Sequence, residues 1–159
     1  MSNPTQGKAV REVTLGLQVE KTIAMLADAN IFTVYGRNLV TLITGQVTAA
    51  GDGGATSFKL QTETNTIDLC ADTTVTGDAI GTTYFVTGEL AVILNGTGNT
   101  PIIDVGANLT GFPSSPIILG RTATADAIQF VQTGDDASLV ISWILTYIPL
   151  EDGAYIEAA

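Results

Sequence analysis

The chain has no histidine, so acid–base and nucleophilic chemistry near neutral pH would fall to its sixteen Asp and Glu side chains and one thiol, Cys70. The missing imidazole removes the commonest general base, the usual nitrogen ligand for metals and every Ser-His or Cys-His nucleophile pair. Neither Gly-x-Ser-x-Gly, Ser-x-x-Lys nor a P-loop occurs. What remains is a pair of carboxylates acting as acid and base, as in glycosidases. Asp135-Asp136 and Glu151-Asp152 are the adjacent pairs. Neighbours on a strand point to opposite faces, and each pair lies beside a glycine, so both read as solvated turn residues. Asp52, Asp72 and Asp78 offer oxygens to calcium, but none fits EF-hand spacing. Gly96-Thr97-Gly98 lacks the third glycine and the helix of a dinucleotide fingerprint. Cys70, in an apolar stretch, reads as a small buried hydrophobe. Tyr35, Tyr84, Tyr147 and Tyr155 fit core or interface positions, with a sugar-stacking surface as the alternative. These residues predict a protein that is not an enzyme and needs no metal and no cofactor.

Six Lys and Arg against sixteen Asp and Glu give a net charge of −10. Such a surface repels phosphate backbones, and Lys8, Arg11, Lys21, Arg37, Lys59 and Arg121 form no run, so nucleic acid is excluded as a partner. Residues 1 to 37 carry four bases against three acids, while the remainder carries two against thirteen. A basic-leaning arm on an acidic body is the pattern expected of a chain whose two ends meet different surroundings. The lone cysteine leaves stability to packing. No apolar run approaches the ~18 residues that span a bilayer, and Met1 to Gly16 lacks the pattern of a secretory leader. The expectation is no membrane partner and synthesis in a cytoplasm.

Positioning falls to strands. Apolar residues recur at every second position, and no stretch of ten residues holds a 3.6 period, which predicts an all-β, antiparallel β-sandwich or β-barrel, jelly-roll-like, with little helix. Val13, Leu15, Leu17 and Val19 alternate with polar or small residues as a first strand. Thr22 to Ala29 reads as a helical turn or connection. Ile31 to Tyr35 and Leu39 to Ala50 read as a hairpin across Gly36-Arg37-Asn38. Ser57 to Thr62 (Phe58 and Leu60 inward, Lys59 and Gln61 outward) and Thr66 to Cys70 read as two short strands. Ile80 to Leu94 reads as one buried strand bent at Gly88. Residues 95 to 116 read as a long loop, of the kind that carries function. Ile117 to Arg121, Ala127 to Gln132 and Ser138 to Leu150 complete the set, the last with both faces covered. The domain reading is an N-terminal arm and first strand over residues 1–21 and a single all-β domain over 9–157.

Three stretches carry a resemblance: Ile31-Phe32-Thr33-Val34-Tyr35-Gly36 running into Thr44-Gly45-Gln46-Val47-Thr48; Asp68-Leu69-Cys70-Ala71-Asp72 with Gly81-Thr82; and Ile144-Leu145-Thr146-Tyr147-Ile148-Pro149-Leu150-Glu151-Asp152-Gly153-Ala154. Together they resemble head decoration (cement) proteins of tailed bacteriophages. The resemblance implies a virion protein on the phage head exterior, trimeric, seated over capsomer junctions, with the major capsid protein and further copies of itself as partners. Within that frame Lys8, Arg11 and Lys21 are the expected capsid contacts, since a basic terminal arm can order on a partner. Val140, Trp143, Leu145 and Tyr147 are expected in the core or an oligomer interface. The alternative is a head-fibre or host- or carbohydrate-binding module that uses the 95–116 loop.

Overall fold

A computed structural model of the protein describes residues 16–86, 93–94, 117–120 and 125–159. The strands are β1 (Leu17–Met25), β2 (Ala29–Tyr35), β3 (Asn38–Ala49), β4 (Ser57–Thr62), β5 (Thr73–Thr74), β6 (Thr83–Val86), β7 (Ile93–Leu94), β8 (Ile117–Leu119), β9 (Asp126–Thr133), β10 (Asp136–Pro149) and β11 (Tyr155–Ala158). They form two separate antiparallel sheets, one in the order β1-β10-β3-β6-β7 with β8 also on β3, the other β11-β2-β9-β4-β5. The fold is therefore a β-sandwich and not a closed barrel, and no helix occurs among the described residues.

The inner faces meet in one apolar core. Phe58 of β4 is its centre, lying 5.1 Å from Tyr84 edge-on, 5.2 Å from Phe130 in a stack and 5.4 Å from Trp143 edge-on. All four rings are fully buried. Such offset and T-shaped pairs add to the stabilisation from area burial. Room for the indole comes from Gly45, which β3 sets opposite both Trp143 on β10 and Tyr84 on β6. A Cβ at Gly45 would lie 2.8 Å from Trp143 Cζ3, so only glycine lets the ring lie across the strand.

Several local expectations are corrected. Residues 22–25 continue β1 as strand, because Thr22, Ile23 and Ala24 pair in register with Ser142, Ile141 and Val140. Gly36-Arg37 does not close a hairpin: β2 and β3 belong to opposite sheets, and the chain crosses between them. Gly36, at φ +64°, and Asn38, whose Nδ2 donates to the carbonyls of Tyr35 (2.9 Å) and Gly36 (3.1 Å), hold that crossing. Residues 66–70 are not a strand but run beside β4 through a single bridge, Gln61 to Asp68. Gln61 is covered, its Nε2 donating to Gln129 Oε1 at 2.8 Å. The run Ile80 to Leu94 is two strands, β6 and β7, paired antiparallel. Gly88 lies outside the described residues, as does the 95–116 loop. Along β10 the inner residues Leu139, Ile141, Trp143, Leu145 and Tyr147 are buried, but Val140, Ser142 and Ile144 on the other side are only half-buried. Thr146 on that side is buried as well, so among the described residues the second face of β10 is covered only in part.

Candidate interaction surface

The adjacent carboxylates do not form acid–base pairs. Asp136 is buried where β10 begins, not solvated as expected, and its Oδ1 accepts from Ser138 Oγ (2.7 Å), Ser138 N (3.1 Å) and Leu139 N (3.2 Å). Its Oδ2 accepts from Asp52 N at 3.1 Å. These donors, the Ser138 hydroxyl foremost, hold its pKa below the ordinary value. Asp135 turns outward to Gln132 Nε2 at 3.0 Å. Glu151 receives Arg37 Nε and Arg37 N, both at 3.0 Å, and is likewise held low, chiefly by the Arg37 backbone N–H. Burial pushes the Cys70 thiol up to about 12, which fits the small-hydrophobe reading of that residue. Among the described residues no three acidic or thiol side chains converge on a metal position. Asp72 accepts from Ser57 Oγ at 3.1 Å. A hollow beside Val34, Leu119 and Asp126 measures about 10 Å³, room for no more than about one water.

Asp78 is buried, and the Tyr84 hydroxyl donates to its Oδ2 at 2.6 Å. Desolvation raises the pKa of Asp78 and of Tyr84, so folding favours a protonated Asp78. A folded-state pKa above the unfolded one gives stability that is full below the unfolded value and lost as pH rises through the folded value. Asp78→Asn keeps an acceptor for Tyr84 and removes that loss. Its unfolding free energy is expected to match or exceed that of the parent at pH 7, the two converging as pH falls towards ~4. Urea titrations across that range check this, and a variant clearly weaker at pH 7 would contradict it.

The described cations are all engaged by the chain itself. Lys21 Nζ donates to the carbonyl oxygen of Ala159, Arg37 pairs with Glu151, and Lys59 pairs with Asp68 at 2.7 Å. Lys21, half-buried, lies on the same side of the sheet as Trp143, its register partner. Lys8 and Arg11 lie outside the described residues. Trp143, Leu145 and Tyr147 are core side chains of the single subunit, and Tyr147 donates its hydroxyl to Ile156 O at 3.2 Å. Val140 is on the opposite side of β10.

That opposite side is the outer face of the six-stranded sheet. Register partners point the same way, which sets Glu20, Ile144, Thr44 and Phe85 in one row across β1, β10, β3 and β6. Further rows join Thr22, Ser142, Gln46 and Thr83, then Gln18, Thr146 and Leu42, then Ile148, Leu39 and Ile118. Ile118 is 62% exposed and Ile148 42%. The strands of this sheet contain three charged residues, Glu20, Lys21 and Asp136, and only Glu20 faces out. Its carboxylate accepts from Ser142 Oγ at 2.7 Å. The outer side of the other sheet differs: it carries the Lys59–Asp68 pair, Glu157, and Tyr35 stacked on Tyr155 at 4.4 Å. Sequence reasoning named Val140 of this face as core or oligomer interface; the signal for the rest of it was also present, in Ile144 and Ile148 on the outward positions of a strand whose inward positions were already apolar. No family model, no curated protein and no solved structure matches this chain.

Proposed function

We propose that the protein is a structural component of an assembly, a decoration protein bound to the exterior of a tailed-phage head, where it stabilises the shell without catalysis. The carrying observation is the contrast between its chemistry and its surface. Among the described residues the candidate reactive groups are locked in internal contacts, whereas a broad apolar and hydroxyl-rich face of the six-stranded sheet is left partly exposed by them. Large exposed apolar patches mark interaction sites. The phage-head assignment itself comes from the resemblance of the three sequence stretches, and its partners are the major capsid protein and further copies of this chain.

Attachment is assigned to the N-terminal arm, with Lys8 and Arg11 as its contacts. Deleting residues 2–12 is expected to abolish co-sedimentation with emptied heads of the parent phage while leaving a folded oligomer. Unimpaired pelleting of the deleted chain would sink the arm assignment. One observation favours a second reading, a glycan-binding module: Tyr155, 42% exposed, stacks on Tyr35 at the β11 edge and offers an aromatic surface. A glycan screen in which Tyr155→Ala removes binding would favour it over the head reading.

A further inference from the structure

We infer that the outer face of the six-stranded sheet is where two copies of this chain meet, with the row Glu20, Ile144, Thr44 and Phe85 near the middle of the contact. The choice of a second copy follows from charge. Each copy carries −10, so two copies can approach only where carboxylates are absent or already bonded. Among the described residues the outer face of this sheet meets that condition, since the one outward carboxylate on its strands, Glu20, is tied to Ser142 Oγ, which in turn receives Thr22 Oγ1 at 3.2 Å. A basic partner would find no carboxylate array there to hold it, and the acidic loops elsewhere would attract it instead. A like face, with the same apolar rows and hydroxyls, is complementary to it.

The dimensions fit a contact that uses the whole face. β1, β10 and β3 lie side by side at ~4.8 Å spacing for about eight residue steps of ~3.4 Å, and β6 widens the face over four residues. A standard interface takes ~800 Å² per partner, so such a contact needs the whole face. Two sheets packed this way lie ~10 Å apart, with side chains of both faces interleaved. A charge placed at Ile144 would then be buried without a partner in every copy.

The inference rests on the assembly reading but not on attachment to a phage head. The test is the native mass of the full chain by light scattering, for the parent, for Ile144→Glu and for Ile118→Asp, with the near-ultraviolet dichroism of Trp143 as the check on folding. The parent is expected to be an oligomer, and each variant to keep the Trp143 signal while its dissociation constant rises at least about 100-fold. Glu157→Lys, on the other sheet, is expected to leave the mass unchanged. A parent chain that is monomeric at about 100 µM, or variants that fold and keep the parent mass, would overturn the inference. A monomeric parent that still pellets with heads removes this surface and leaves the head reading standing; an oligomer that ignores heads does the reverse.

Discussion

Trp143→Ala is expected to lower the unfolding free energy by ~3–5 kcal/mol, the range for truncating a large buried aromatic. The side chain is fully buried and touches Phe58, Tyr84 and Phe130, which join the two sheets. Its removal leaves Gly45 beneath an empty site, and β3 has no side chain there with which to fill it. The indole Nε1 has no hydrogen-bond partner, so Trp143 acts by packing and its loss forfeits no hydrogen bond. Trp143→Phe, which keeps a ring and removes that orphan donor, is expected to cost clearly less. Denaturant midpoints for the three proteins check both statements, and a loss under ~1 kcal/mol for the alanine variant would show that the site is not core.

The second large effect is expected from Asp136→Ala. The Asp136 carboxylate gathers four donors from β10 and from the Gly51-Asp52 segment that follows β3, so one side chain ties the start of one strand to the end of another. Hydrogen bonds to a charged group contribute ~1.5–3 kcal/mol, and donors left without an acceptor in a covered site add a penalty, so a loss of about 3 kcal/mol is expected. The acid dependence follows. A folded pKa lowered below the unfolded one gives stability that is full above the unfolded value and lost as pH falls through the folded value. The advantage of the parent over Asp136→Ala therefore shrinks only below the ordinary carboxylate range, near pH ~4 and lower. A difference that is small at pH 7, or that persists unchanged into acid, would contradict this role.

The strand period was legible because β-branched and aromatic residues alternate with Thr, Ser and Gln wherever one face is buried, as in β3 and β10. Phe58, Leu60 and Trp143 could be assigned inward on that ground alone. The crossing at Gly36-Arg37 was misread because a glycine in the left-handed region serves a hairpin and a sheet-to-sheet crossing equally. Which of the two forms depends on β3 fitting between β10 and β6, a long-range pairing that local residues do not encode. β6 and β7 were read as one strand because an apolar run carries no mark of where it reverses. β11 went unseen, since Tyr155, Ile156, Glu157 and Ala158 bury one residue only and depend on pairing with β2. For the candidate surface, charge was legible only as a total. That Glu20 alone of the described carboxylates faces out from the six-stranded sheet depends on which strands share that sheet.

The central proposal, that this chain covers a tailed-phage head, is tested most directly by mixing the purified protein with emptied tailed-phage heads and measuring the amount pelleted as its concentration rises. Binding that saturates at a fixed number of copies per head, together with heads that survive higher temperature, is the predicted result. A chain that stays in the supernatant at every concentration would contradict it.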